Sequence, residues 1–514
     1  MTIRVPLQRR TFLLASGAIA LAGCGSATQD PPSELRIGIA SAPDSLDPAQ
    51  GQFAAAALLF KQLYTPLTNY GADGGLAPGL AQSWQMSDDG LQWTFSLRKN
   101  LQWSDGVPIT ANDIVTTVQR MLDPDSLYAD AGDFFLLRNA EAVLNGTEPI
   151  DQIGVHALDV HTVRFSFVQP LGVFAELMRE FYPAPAHILV NLETKWPLPP
   201  DFVGSGPYLL SKTTQQEIAL VRNPLAPDPP HIGNVYVSVV EEAATRTRMV
   251  RAGDLDLIED PPANQIADLK ARDGIALSGW DAPRLVYLKI NHQHSVLGDP
   301  RVRRALNLAV DRSFIADQLF KDAAQAAYGI LPWAAPGLPS YSQRVETARE
   351  LLAEAGLEDG FQISMLHSGG LRERIAVVLA ENWKQIGVTC NLQGTDGQGL
   401  YAFIEAGEFD LAMASFDRGL KRENWRLIEP FASNGFAANF NWTNAAYDAA
   451  VASARAEGDP LQRDWFAAEA ADLLHEDAAI IPLVFERKFW LSSPNIGGFS
   501  DQVPPDQWRF LNWK

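Results

Sequence analysis

From Arg284 to Phe416 the chain switches repeatedly between two apolar periods, and this switching limits its possible folds more than any other feature. "RLVYLKIN" (284–291) carries apolar residues at every second position, the period of a strand. Asp299-Pro300 then offers a helix cap and a first-turn proline, and Val302, Ala305, Leu306, Ala309 and Val310 follow at helical spacing. "ETARELLAEAG" and "ERIAVVLAENWKQIG" read as helices closed by Gly356 and Gly387. "VTCNLQ" is a strand, "LYAFIEAG" a helix and "EFDLAMASF" a strand. Strands alternating with helices of this length predict an α/β fold. Two helices near 444–456 and 460–475 and the strand "AIIPLVFERKFWLSS" close the pattern.

The first half is less regular. "ELRIGIA" places Leu35, Ile37 and Ile39 on one face, and "LQWTFSLRKN" does the same with Trp93, Phe95 and Leu97. After the turn "WSDGVPIT", Thr110 and Asp113 stand in capping-box spacing ahead of a stripe of Ile114, Val115, Val118 and Leu122. The 514 residues suit about three structural units at roughly 150 residues each. Pro-rich stretches at 197–200, 227–230 and 332–339 are candidate linkers or ordered loops. The 61 acids outweigh 41 bases, a formal charge of −20, which argues against nucleic acid and anionic lipid as partners.

The N-terminus does not read as part of the fold. Arg4, Arg9 and Arg10 precede an apolar stretch, Thr11–Ala22, too short to span a bilayer as a helix. "QRRTFLL" resembles the twin-arginine export motif, and "LAGC" resembles the bacterial lipobox, whose cysteine is lipidated. Residues 1–24 are therefore expected to be an export signal ending at a lipidated Cys24, and 25–33 a flexible tether. With Cys24 acylated no disulfide can form, and Cys390 shares a strand face with Val388 and Leu392.

Motifs for chemistry are missing. There is no G-x-S-x-G elbow, Walker A loop, H-E-x-x-H or C-x-x-C. "GSGP" (204–207) is glycine-rich, but Pro207 removes an amide that a phosphate cradle would use. His292 and His294 could share one face of an extended segment, yet a metal would need further ligands. No catalytic residue, metal or cofactor is expected.

Seven segments in order carry a resemblance: "GGLAPGLAQSWQMSDDGLQWTFSLRKNLQWSDGVPITANDI" (74–114), "VGSGPYLL" with "LVRNP", "RAGDLDLI", "VYLKIN", "DPRVRRALNLAVDRSFI", "ENWKQIGVTCNLQ" and "AGEFDLAMASF". Together they resemble the large solute receptors of ABC importers, the family of dipeptide-, oligopeptide- and nickel-binding proteins, most of all its oligopeptide branch. The resemblance implies an α/β, two-lobed periplasmic-binding-protein fold with a cleft, a hinge and an inserted extra domain. It implies lobe I from 34–70, 202–285 and 490–514, the insertion from 71–201, and lobe II from 286–489. In that frame Trp84, Trp93 and Trp103 pack the domain, and Arg301, Arg303 and Arg304 are structural or exposed.

The family's peptide receptors carry Trp, two variable residues, Asp and an aromatic after the strand matching "EFDLAMASF". Here the run is Phe416, Asp417, Arg418, Gly419, Leu420, with glycine at the anchoring acid. A second cleft segment is "LYTPL" (63–67), with Thr65 where an acid is common. The resemblance thus implies solute contacts at Phe416, Asp417, Arg418, Tyr64 and Thr65, and places Lys421–Glu423 outside on a solvated loop. It implies a monomeric receptor, not an enzyme, that takes a peptide or peptide-like solute to a membrane permease. An opine-like, sugar-derived or metal-chelate solute is the alternative, with an exported hydrolase or chaperone as the rival from another class.

Overall fold

Two strands are far longer than the rest, and the architecture hangs on them. Ala276–Ile290 has 15 residues and Ile480–Ser492 has 13, roughly 40–50 Å at about 3.3 Å per residue. The computed structural model describes residues 34–51, 53–124, 134–190, 195–227, 229–332, 337–416, 423–494, 496–497 and 510, without the side chains of 282 and 283. The export signal, Cys24, the tether, Asp417 and Arg418 lie outside the described residues. No helix among the described residues is long and apolar enough to cross a membrane.

The long strands pair antiparallel from Ala276 opposite Ser492 to Lys289 opposite Ile480, with a bulge between Asp281 and Arg284. They lie inside an 11-stranded sheet. Beside Ala276–Ile290 stand Leu411–Phe416, then Phe361–Ser368 and Val388–Thr395. Beyond Ile480–Ser492 stand Leu257–Glu259, Glu34–Ile39, Asn234–Val239, Glu217–Arg222 and Tyr208–Thr213. Ala324–Ala326 pairs on Ile480–Ser492 off this path. A separate four-stranded sheet holds Ala81–Met86, Gln92–Leu97, Thr162–Ser166 and Val155–Asp159 in that spatial order.

The period-two pattern decides which side of the sheet each residue packs on. Val286, Leu288 and Ile290 meet Leu306, Leu379 and Trp383 on one face. Leu285 and Tyr287 face the other way, toward Phe416 and Phe431. "RLVYLKIN" marks only the last part of its strand, because the earlier part gains its partner from Ile480–Ser492 rather than from its own pattern. The expected caps form. Asp113 Oδ2 accepts from Thr110 N at 2.7 Å, and Asp299 Oδ1 from Arg301 N at 2.8 Å. The helix containing "ETARELLAEAG" starts earlier, at Tyr341, because Ser340 and Gln343 make a capping box. Gly356 and Gly387 have φ of 73° and 80°, the left-handed conformation that ends a helix.

Residues expected to be structural are so placed. Trp103 and Trp93 are buried, their Nε1 atoms donating to Asp113 Oδ1 and the Leu171 carbonyl, and Trp84 packs on the same core. Arg303 donates to the carbonyls of Leu297, Gly298 and Asp477. His292 Nε2 donates to the Ala479 carbonyl at 3.0 Å, and His294 Nδ1 accepts from Val296 N and Leu297 N.

His292 gives a pH-dependence. Burial pulls its pKa from 6.5 to about 4, Arg303 adds to the shift, and the Ala479 hydrogen bond opposes it. Between about 6.5 and about 4 the unfolded chain binds a proton that the folded chain refuses, so stability falls as pH falls through that window. The full loss is about 3 kcal/mol. His292→Gln is expected to flatten this part of the stability profile in denaturation series from pH 7 to 4. An unchanged slope would place the acid sensitivity elsewhere.

Candidate functional site

The sequence around Glu176 contains charges in an otherwise apolar run, "PLGVFAELMREFYPAP" (170–185). Phe174 anchors this segment edge-on against Phe165 and Phe167, at 4.8 and 4.7 Å between ring centroids. The short helix Phe174–Leu177 then leaves Glu176 and Arg179 facing a different part of the chain. That part is the pair of helices Asn424–Ile428 and Pro460–Glu476. Gly172 permits the approach: a Cβ there would lie 2.3 Å from the Glu457 carbonyl carbon.

Between these elements lies a cavity of about 260 Å³, lined among others by Tyr70, Glu176, Arg179, Trp280, Glu423 and Arg463. Trp280 belongs to the long strand Ala276–Ile290, so the cavity lies against a strand shared by both halves of the large sheet. Two arginine–carboxylate pairs cross it. Arg463 Nη1 donates to Glu176 Oε2 at 2.5 Å, and Arg179 Nη1 donates to Glu423 Oε1 at 2.5 Å. Trp425 Nε1 also donates to Glu176 Oε2, at 3.3 Å. Arg463 is held further by the carbonyls of Glu457 and Gly458. The Arg179 guanidinium lies over the Tyr70 ring, 4.1 Å from its centroid, an arrangement that fixes its plane. Burial raises the Tyr70 pKa well above the usual phenol range, with Glu423 adding to the shift and Arg179 opposing it. At the rim, Asn424 Nδ2 donates to Asp464 Oδ1 at 2.9 Å.

The described residues expected at the solute site, Tyr64, Thr65 and Phe416, are buried and do not line this cavity. Tyr64 is fully buried; its hydroxyl donates to the Leu46 carbonyl, and its ring packs with those of Phe60, Tyr182, Trp196 and Phe202. Thr65 Oγ1 donates to the Ser205 carbonyl at 2.7 Å, and its amide donates to Ser205 Oγ at 2.9 Å. "GSGP" is thus the other side of this join: a Cβ on Gly206 would stand 2.4 Å from the Gln62 carbonyl oxygen. Phe416 is buried edge-on to Phe431, 5.3 Å between centroids.

Glu423 corrects one expectation. It is not on a solvated loop, because Arg179 reaches it from the far side of the cavity and half-buries it. Sequence reasoning also missed Glu176, Arg179 and Arg463. The available signal was the presence of Glu176 and Arg179 inside an apolar run, since a charge there is rarely buried without a partner.

The cavity can hold a polar solute by charge and hydrogen bonding, and comparison with known proteins gives a consistent likeness. The family model of the bacterial extracellular solute-binding proteins, family 5 (middle), matches residues 75–437. The periplasmic oligopeptide-binding protein OppA of Salmonella typhimurium is 28% identical over 483 residues, covering 90% of this chain and 89% of that protein. The unliganded open form of the murein tripeptide binding protein MppA superposes with a TM-score of 0.83 at 26% identity, covering 94% of this chain and 97% of that one. Haemophilus influenzae OppA in complex with RPPGFSPFR gives 0.73, also at 26% identity, covering 94% and 99%. The α/β, two-lobed periplasmic-binding-protein fold expected from the sequence is the fold observed. The chain belongs to the bacterial extracellular solute-binding proteins, family 5, with its likeness to the oligopeptide-binding branch.

Proposed function

We propose that this chain is the lipid-anchored, extracytoplasmic receptor of an ABC importer, capturing a peptide or peptide-like solute between two lobes and passing it to a membrane permease without chemical change. The observation that carries the reading is the charged cavity against the shared strand Ala276–Ile290, in a chain that matches peptide-binding structures over 94% of its length. Lobe I comprises 34–70, 202–285 and 490–514, the insertion 71–201, and lobe II 286–489. The four-stranded sheet within 71–201 and the shared strands at 276–290 and 480–492 support that division. At equal identity, the better superposition on the unliganded open form than on a peptide complex supports lobes that stand apart here and close on solute. Asp417 and Arg418 keep the solute-contacting role expected from the sequence, with the buried Phe416, Tyr64 and Thr65 as packed support. The protein works as a monomer, is exported through the twin-arginine route and is anchored at Cys24.

One experiment tests anchor and solute together. Native mass spectrometry of the protein released from membranes is expected to show a chain starting at an acylated Cys24, with one small solute bound. Stripping the solute should enlarge the scattering radius. An unacylated chain would remove the anchor, and steady conversion of the bound molecule into product would remove the receptor reading.

A further inference from the structure

In the division proposed above, residues 171–181 of the insertion are tied to both lobes at once. On the lobe I side, Lys61 Nζ donates to the Arg179 carbonyl at 3.0 Å, and Thr68 Oγ1 donates to the Ala175 carbonyl at 2.7 Å. On the lobe II side the joint has three kinds of contact. The backbones touch: Val173 N donates to the Arg455 carbonyl at 3.3 Å, and a Cβ on Gly172 would stand 2.5 Å from the Ala456 carbonyl oxygen. Apolar side chains are shared, since Val173, Phe174 and Leu177 lie in one buried cluster with Leu427, Ala454 and Ala467. Charges meet in Glu176 with Arg463 and in Arg179 with Glu423. The carbonyls of Glu457 and Gly458 preset the Arg463 guanidinium within lobe II, which spares ordering cost when Glu176 pairs with it. Met86, from the four-stranded sheet, packs on the same loop: a Cβ on Gly458 would lie 3.0 Å from Met86 Cε.

The arrangement that has these contacts superposes better on an unliganded open form than on a peptide complex, with TM-scores of 0.83 and 0.73. The joint therefore goes with the open lobes and does not wait for closure. Parting it would separate two ion pairs whose side chains are at most 19% exposed, and would uncover apolar surface. We infer that residues 171–181 are a built-in clasp, which holds the insertion to lobe II in the solute-free receptor and limits how far the cleft opens before solute arrives. The inference rests on the lobe division, and it adds a second attachment between the lobes to the paired strands Ala276–Ile290 and Ile480–Ser492. Solute then meets lobes already set near one angle, which lowers the cost of closing on it.

The test uses full-length, solute-stripped protein, hydrogen exchange at the Val173 amide and the radius of gyration from X-ray scattering. In the wild type this amide is expected to exchange about a hundredfold more slowly than an exposed amide, because its acceptor lies on lobe II. Two variants loosen the clasp by different routes. Gly172→Ala sets a methyl group against the backbone of Ala456 and Glu457; Gly172 is not in the left-handed conformation, so the substitution strains only this contact. Glu176→Leu with Arg463→Met removes one ion pair without stranding a charge. Each should speed Val173 exchange about tenfold and enlarge the radius by about 1 Å, on roughly 24 Å for a compact chain of this length. Trp465→Ala, exposed on the helix that carries Arg463, should change neither. A wild-type Val173 amide that exchanges like an exposed one overturns the inference. So does an unchanged radius in either folded variant, which would make the joint local, or a smaller radius, which would make it a prop that keeps the lobes apart. If circular dichroism shows one variant unfolded, the other decides; if neither folds, the wild-type exchange decides. None of these outcomes touches the receptor reading, which stands or falls on the bound solute in the native mass spectrum.

Discussion

Glu176→Ala is expected to destabilise the protein by about 3–5 kcal/mol, because it leaves the Arg463 guanidinium buried without its counter-ion. The two side chains are 10% and 5% exposed, and Trp425 Nε1 loses its acceptor at the same time. Most of the cost is the stranded charge. Glu176→Leu combined with Arg463→Met should therefore recover most of it, since no buried charge remains. A double-mutant cycle by chemical denaturation reads the coupling directly. A loss below about 1 kcal/mol for Glu176→Ala would mean that the pair behaves like an exposed ion pair, and that the segments around Glu176 and Arg463 are held together by their backbone contacts alone.

Trp383→Ala should lose a comparable amount, about 3–5 kcal/mol from cavity formation. Trp383 is wholly buried between the strands and helices of the second half, and its Nε1 donates to the Leu306 carbonyl at 3.0 Å. Removing it leaves both a large void and a buried acceptor without its donor. Trp465 provides the control. It is 58% exposed, so Trp465→Ala should shift the denaturation midpoint by no more than about 0.5 kcal/mol of stability. Equal effects of the two substitutions would contradict the packing described for Trp383. Because this tryptophan packs in a core cluster that contains none of the residues lining the cavity, the variant should keep the solute binding of the wild type wherever it stays folded.

Element type was legible because its causes are local. The period-two runs at 34–39, 92–97 and 411–416 form strands, and the Asp299 and Thr110 caps start helices as their side chains dictate. Switching between the two periods sufficed to give the fold class, and the order of motifs gave the family. Boundaries failed where a partner strand, not the residue pattern, supplied the hydrogen bonds, as along 276–283. The site was legible only in outline. Glu423, the last residue of the charged run, lines the cavity, but the composition of the run pointed it toward water. What turned Glu423 inward is Arg179, 244 residues away, and what neutralises Glu176 is Arg463, 287 residues away. A buried charge is tolerated only opposite its counter-charge, and nothing local to either member names the other. The sequence by itself therefore determined which segments become strands and helices and to which family they belong. Only the tertiary structure, by returning the chain to the strand Ala276–Ile290 from both sides, decided which charges meet across the cavity.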